Sequence, residues 1–134
     1  MSDRQHLQPE ELFQSARMGF SQVVTTPPGK LVFVSGQVAW DKDRKLVGEG
    51  DLGAQAEKAL ENLGHALKAA GASPADVTMM RVYIVDYSPE QGAVVGSLIG
   101  RFFGAGPPAA STWVGVKALA APQFLIEIEA IAVV

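Results

Sequence analysis

The sequence predicts an α+β fold in which two helices cover one face of a single β-sheet. Two amphipathic helical segments, beginning near Asp51 and Ser88, interrupt segments rich in β-branched residues, in the order β-β-α-β-α-β-β. Each helix must bury its apolar stripe, and a shared sheet face is the surface that the pattern offers. With 134 residues and no linker or repeat, we expect one domain over 1–134, with residues 1–18 forming a loose arm that contains a short helical turn.

The first half of the chain predicts a β-hairpin followed by a helix. Residues 20–26 and 31–35 are the expected strands, and the Pro-Pro-Gly sequence at 27–29 is the turn between them. Asp51 is the expected N-cap of the first helix, because a side-chain oxygen there can accept a free backbone N–H. Gly71 is the expected stop of that helix.

The second half predicts a strand, a second helix and two closing strands. Residues 77–86 are an expected strand, and Ser88 opens a helix with the signature of a capping box that ends at Gly104. The closing strands are expected at 112–116 and 124–134. No third helix remains to cover the opposite sheet face, and an uncovered apolar face in a small protein indicates association between copies.

The last strand carries two carboxylates on one face. Alternation along a strand places Glu127 and Glu129 on the same side, about 7 Å apart, while Ile126 and Ile128 face the other way. A buried charge is costly unless it is paired. Two interpretations therefore remain open: two acids at a wet edge, or a carboxylate in a cleft that activates water.

The composition excludes several classes of function. A net charge of −3 and the absence of a basic run argue against nucleic-acid binding. The absence of cysteine excludes disulfides, thiolate metal sites and cysteine nucleophiles. The polar N-terminus lacks a signal-peptide core and no stretch is apolar enough for a membrane span, so we expect a cytoplasmic protein.

Two motifs that suggest ligand sites are better explained as turns. The G-x-G-x-x-G pattern at 48–53 precedes a helix, but Glu49 and Asp51 place negative charge where a phosphate would bind. Asp41 begins a sequence similar to a calcium loop that lacks the required glycine. We therefore predict no cofactor and no metal at either motif.

Several segments between residue 19 and the C-terminus form a wider pattern: FSQV at 20–23, FVSGQV at 33–38, RVYIVD at 81–86, RFF at 101–103 and LIEIEAIAV at 125–133. This pattern resembles the YjgF/RidA-like reactive-intermediate deaminase family, also called L-PSP endoribonuclease-like. The resemblance implies a chorismate-mutase-like fold and a homotrimer with a small-molecule cleft between subunits. It also implies hydrolysis of imines and enamines, such as 2-aminoacrylate, to a keto acid and ammonia without a cofactor.

The resemblance also assigns residues to the cleft. It places Glu127 as the catalytic residue that holds the attacking water. The positions expected to bind substrate are Phe20, Ser35, Gly36, Gly96, Ser111, Thr112 and Trp113.

The family's carboxylate-binding arginine is missing. Its Pro-Ala-Arg signature reads PAAST at 108–112, which puts Ser111, or Ala110 under a looser alignment, at the arginine position. Three further positions depart from the family pattern: Phe20, where the family has tyrosine, Gly96, where it has asparagine, and Trp113, where it has a small residue.

The loss of a bidentate charged contact costs about 3 kcal/mol, or about a hundredfold in rate. We therefore predict weak or absent activity on 2-iminopropanoate. Three functions remain open at this point. They are a divergent hydrolase or deaminase of neutral or aromatic imines or enamines, a metabolite-binding trimer without turnover, and an endoribonuclease, which the net charge of −3 disfavours.

Overall fold

The structure of the protein, a computed structural model, describes residues 3–134. Its two α-helices are α1, Leu52–Ala69, and α2, Pro89–Phe103. Its strands are β1, Gln5–Leu7; β2, Val23–Thr25; β3, Leu31–Gln37; β4, Val77–Val85; β5, Ala110–Val116; and β6, Ile126–Val133.

The main sheet has four strands in the order β3-β6-β4-β5. Strands β4 and β5 run parallel, and β6 is antiparallel to both of its neighbours. The two α-helices pack on one face of this sheet, where the apolar stripes of the helices meet inward-facing side chains of β4 and β6. The most deeply buried of these sheet residues are Val82, Ile84, Ile126 and Ile128. The predicted α+β class is confirmed.

Both helices begin where their capping residues predict. The Asp51 carboxylate accepts a hydrogen bond from the backbone N–H of Ala54 at 3.0 Å. At α2, the Ser88 N–H donates to the Gln91 side chain at 2.8 Å, and the Ser88 hydroxyl accepts from the Gln91 N–H. Gly71 follows α1 with a φ of 76°, the left-handed conformation typical of a helix end.

The buried Gln55 side chain ties the first turn of α1 to the segment that leads into β6. Its amide group donates to the carbonyl oxygens of Gly48 at 3.2 Å and Gln123 at 3.0 Å. Its side-chain oxygen accepts from the backbone N–H of Leu125 at 2.9 Å. A fully buried amide with three backbone partners fixes the start of β6, and therefore the position of the acids on it.

The predicted hairpin between residues 20–26 and 31–35 is wrong. Strand β2 pairs with β1, whereas β3 pairs with β6. The backbone of Lys30 exchanges two hydrogen bonds with Val134, at 2.8 and 2.9 Å. Gly29 lies so close that an added Cβ would be 2.7 Å from the Val134 carbonyl oxygen. The turn therefore delivers β3 to the far end of β6 instead of folding it back on β2.

The N-terminal segment contains the predicted helical turn, a 3-10 turn at Ala16–Met18, but it is anchored rather than loose. The Ser15 side chain is fully buried, and its hydroxyl donates to the carbonyl oxygen of Phe20 at 2.6 Å. The backbone N–H of Ser21 donates to the carbonyl oxygen of Ala109 at 3.0 Å. These bonds fix the segment against the start of β5.

The two motifs interpreted as turns are turns. Gly48 and Gly50 both have positive φ, and the loop ends in the Asp51 cap. The Asp41 carboxylate accepts from the backbone N–H of Lys45 at 2.9 Å, as in a local turn. Within residues 3–134, no group of three or more acidic, histidine or cysteine side chains is placed to hold a metal ion. No helix of this part of the chain is long and apolar enough to cross a membrane.

The face of the sheet opposite the helices, here called the open face, exposes large apolar side chains. Phe33 is 71% exposed and Leu31 is 59% exposed, and both alternate with the buried Val32 along β3. Exposed apolar side chains grouped on a sheet are typical of an interface. The association of copies through this face remains a prediction.

We expect Gln55→Leu to destabilise the protein by about 2–4 kcal/mol, because it leaves buried backbone groups unpaired. Urea unfolding followed by circular dichroism measures the change. The control is Gln14→Leu, at an exposed position, which should change the free energy of unfolding by less than about 0.5 kcal/mol. Equal effects of the two substitutions would contradict the structural role of Gln55.

Candidate functional site

A cavity of about 780 Å³ lies between α2, the start of β5 and the turn at Ala16–Met18. Its size falls within the range of about 300–1,000 Å³ that is typical of small-molecule sites. Four of the residues predicted to bind substrate line it together: Phe20, Gly96, Ser111 and Trp113. The other three predicted substrate-binding residues and the predicted catalytic residue Glu127 lie elsewhere.

The α2 wall of the cavity is built from glycines. Gly92, Gly96 and Gly100 recur every fourth residue, a spacing that puts them on one helix face. An added Cβ at Gly92 would overlap the Tyr87 hydroxyl, and one at Gly96 would be 3.7 Å from the Trp113 ring. The absence of side chains on this face therefore lets two aromatic rings lie close to the helix backbone.

The hydroxyl oxygen of Ser111 is buried and makes no hydrogen bond with any residue in 3–134. Ser111, or Ala110 under the looser alignment, is also the position at which the family pattern is expected to have arginine. Most buried hydroxyl groups are hydrogen-bonded, so one that lines a cavity without a protein partner is available to a ligand. This wall of the cavity offers one neutral polar group where the family pattern has a charged bidentate donor.

The sequence did not reveal two residues of this cavity, Arg17 and Tyr87. Arg17 falls in the segment predicted to be a loose arm, and Tyr87 follows the end of a strand. Neither belongs to a periodic pattern or a motif. Arg17 reaches the cavity because the N-terminal segment is fixed against the start of β5, and Tyr87 lines it because its ring lies against Gly92 of α2. Local sequence encodes neither contact.

Glu127 and Thr112 lie on the open face of the sheet. Glu127 is paired across the strands with Tyr83, and Thr112 is paired with Arg81. The side chains of Arg81 and Tyr83 both contact Glu129, which establishes that these residues share one face. Ser111 and Trp113 neighbour Thr112 in β5 and therefore point to the helix face.

Ser35 and Gly36 form a bulge in β3 beside Glu127. Val34 pairs with Ala130 and Gln37 with Ile128, so β3 has one residue more than β6 between these pairs. The Glu127 carboxylate lies against Gly36, where an added Cβ would overlap it. Glycine at this position is therefore required for the carboxylate to occupy its observed place.

The two carboxylates of β6 have different environments. Glu129 forms an ion pair with Arg81 at 3.1 Å and accepts a hydrogen bond from the Tyr83 hydroxyl at 3.3 Å. Burial, together with the neighbouring Glu129 carboxylate, raises the pKa of Tyr83. Glu127 has no hydrogen bond or ion pair with any residue in 3–134 and is partly exposed. Glu129 is thus a paired structural acid, and Glu127 is the acid that remains available to a ligand or water.

The predicted site residues therefore form two groups on opposite faces of the sheet. We call Phe20, Gly96, Ser111 and Trp113 the cavity group, and Ser35, Gly36, Thr112 and Glu127 the acid group. The backbone of the sheet separates the two groups within one chain. The cavity group lies beside the edge strand β5. In the acid group, Ser35 and Gly36 lie on the other edge strand, β3, and Glu127 lies on the neighbouring strand β6.

Comparison with known proteins gives consistent matches over most of the chain. The profile of the family described as Endoribonuclease L-PSP matches residues 12–134. Protein DfrA of Myxococcus xanthus is 38% identical over 115 residues, which cover 85% of this chain and 84% of that protein. A RutC family protein of Pyrococcus abyssi is 33% identical over 114 residues, which cover 84% of each chain.

Solved structures match the fold as well. YyfB of Yersinia pestis, from the conserved Rid protein family, has a TM-score of 0.95 and 43% identity, and the match covers 98% of this chain and 99% of that one. RidA of an Antarctic Psychrobacter has a TM-score of 0.70 and 30% identity, covering 85% and 87%. The predicted fold and the family resemblance are confirmed. The chain belongs to the Endoribonuclease L-PSP family, whose structural members include the YjgF and Rid proteins.

Proposed function

We propose that this protein is a homotrimeric hydrolase, or deaminase, of imine- or enamine-type small molecules whose specificity differs from that for 2-iminopropanoate. Glu127 of one subunit activates water against a ligand held in the cavity of the neighbouring subunit. The observation that carries the proposal is the free Glu127 carboxylate, which lies against Gly36 on the face opposite the cavity.

The division of the site between two sheet faces favours assembly in a ring. Groups at opposite edges of one sheet can meet only when the β5 side of one copy faces the β3 side of the next. Such a head-to-tail contact uses two different surfaces and closes into a ring when the rotation permits. The exposed Leu31 and Phe33 on β3 lie at the edge that this contact would cover.

Glu127 supplies the acid–base chemistry that imine hydrolysis requires. The carboxylate takes a proton from water as the water oxygen bonds to the imine carbon, and the nitrogen gains a proton as the C=N double bond becomes single. The hydroxyl proton of this intermediate then passes to the nitrogen, and the carbonyl forms as the C–N bond breaks and ammonia leaves. Water and imine yield a carbonyl compound and ammonia, with no oxidant or cofactor needed.

The cavity group sets which imines are accepted. Ser111 offers one neutral hydroxyl where the family pattern has a guanidinium, so a small carboxylate gains little from this wall. Trp113, Phe20 and Tyr87 instead provide aromatic surface. Aromatic side chains stack with planar ligands at about 0.5–1.5 kcal/mol beyond the burial of area. The cavity therefore favours a bulky or aromatic imine over a three-carbon one.

A metabolite-binding trimer without turnover is the second candidate. It is favoured by the size and apolar lining of the cavity, which would bind a ligand whether or not Glu127 reacts. An endoribonuclease is the third, and the family description carries that word. The net charge of −3 makes it the weakest, because a phosphate backbone is bound mainly through basic side chains.

We expect the protein to accelerate hydrolysis of the phenylalanine-derived imine at least about tenfold more than that of 2-iminopropanoate, because the aromatic surface of the cavity can contact a phenyl ring and a three-carbon imine has none. An amino-acid oxidase generates both imines from phenylalanine and alanine, and semicarbazide trapping reports the imine that remains. Glu127→Gln should reduce the rate to that of buffer. Glu129→Gln, on the same face two residues away, is the matched control and should keep most of the activity.

Efficient hydrolysis of 2-iminopropanoate that Glu127→Gln abolishes would show that the missing clamp does not limit the enzyme. Binding of aromatic ligands without turnover of either imine would favour the second candidate. Equal rates for wild type and Glu127→Gln would remove Glu127 from the mechanism.

We also expect two inactive variants to restore activity when they are combined in one trimer. Glu127→Gln keeps an intact cavity, and Gly96→Phe fills the cavity but keeps the acid. A mixed ring has one junction that joins an intact acid to an intact cavity, so trimers purified through two different tags should show about one third of wild-type activity. The absence of rescue in confirmed mixed trimers would mean that the site is not shared between subunits.

A further inference from the structure

The cavity contains one charged group that the proposed mechanism does not use. Arg17 lines the cavity, and no other charged side chain among residues 3–134 does. Within residues 3–134 its side chain forms no ion pair and no hydrogen bond. A lone positive charge beside a largely apolar cavity makes an attractive site for an anionic group.

The turn that carries Arg17 is held in place by buried polar contacts. Ser15 is fully buried and its backbone N–H donates to the Gln8 side chain at 3.0 Å. Gly19 closes the turn with a φ of 88°, and its N–H donates to the carbonyl oxygen of Ala16 at 3.1 Å. A backbone fixed in advance reduces the entropy that ligand binding must overcome.

The other walls of the cavity indicate which chemical groups a ligand would carry besides the anion. Trp113, Phe20 and Tyr87 present aromatic surface, and the glycine face of α2 leaves space beside them. Ser111 adds one buried hydroxyl without a protein partner on the β5 wall. The cavity thus combines a cation, an aromatic wall and a single neutral polar group.

We propose that the cavity selects aromatic carboxylic acids, with the carboxylate on the Arg17 guanidinium and the ring against Trp113. Arg17 then supplies, from the N-terminal turn, the cationic contact that the family pattern places at the start of β5, at Ser111 or Ala110. The proposal deepens the proposed function and rests on it in one respect: the substrates would be imines of aromatic amino acids. When a carboxylate binds Arg17, the rest of the ligand can contact the aromatic side chains of the cavity. A three-carbon acid has no ring that could make this contact.

Binding of a matched acid and amide tests the proposal without any turnover. The probes are 3-phenylpropanoate and 3-phenylpropanamide, which share the ring and chain and contain no C=N bond. Isothermal titration calorimetry on the full chain should give about threefold to fivefold tighter binding of the acid than of the amide, because one charged contact at the exposed Arg17 distinguishes them. Acetate, which has the charge but no ring, should bind more weakly than either.

Arg17→Gln should remove the preference for the acid and leave the Kd of the amide within about twofold. Arg17→Lys should recover part of the preference, because it keeps the charge and loses the bidentate geometry. The control is Arg101→Gln, an exposed arginine of α2 that pairs with Glu57 at 3.8 Å and does not line this cavity. That variant should bind like wild type, and circular dichroism confirms that all three variants fold.

The proposal is overturned if wild type does not prefer the acid, or if Arg17→Gln keeps the preference. It is also overturned if neither probe binds. Its failure is distinct from failure of the proposed function. A protein that prefers the acid through Arg17 but hydrolyses no imine would support the anion site and reject the hydrolase.

Discussion

The alternation of side chains along β5 and β6 determines where chemistry can occur in this protein. Adjacent residues of a strand point to opposite faces, so Ser111 and Thr112 cannot serve the same side of the sheet. Cross-strand pairing of β4 with both neighbours places Thr112 on the face of Glu127 and Ser111 on the face of α2. Side chains on one face of a sheet cannot reach the other face. Glu127 and the cavity of the same copy therefore cannot contact one ligand, and a shared site requires two copies.

Local sequence patterns were sufficient for the two α-helices and for the strands after residue 20, but they predicted neither β1 nor the strand that pairs with β2. The caps at Asp51 and Ser88 form as predicted, because a cap needs only residues within one turn of itself. From Ile126 to Ala132, buried and half-buried positions follow the predicted alternation, because side chains of adjacent strand residues point to opposite faces. The partner of residues 20–26 was predicted wrongly, because it depends on Gly29 meeting the end of the chain at Val134, a contact between residues distant in sequence.

Local sequence was also insufficient to predict the candidate site. The sequence identified Glu127 and Glu129 as a pair, but only the positions of Arg81 and Tyr83 show that Glu129 is paired and Glu127 is not. Arg17 could not be predicted at all, because it lines the cavity only through the placement of a 3-10 turn beside the start of β5. Residues that act on one face of a periodic element can be read from sequence, whereas residues brought in by loops require the fold.

The residues that depart from the family pattern line the same cavity. Gly96 gives space on α2 beside the large Trp113, and the uncharged Ser111 leaves Arg17 as the cation that lines the cavity. The central claim, that Glu127 of one copy faces the cavity of the next, is tested most directly by a crystal structure of the assembled protein. We expect a ring of three in which each Glu127 carboxylate lies across a subunit junction from Trp113 of its neighbour. A monomer, or a ring with Glu127 turned away from every cavity, would contradict the account.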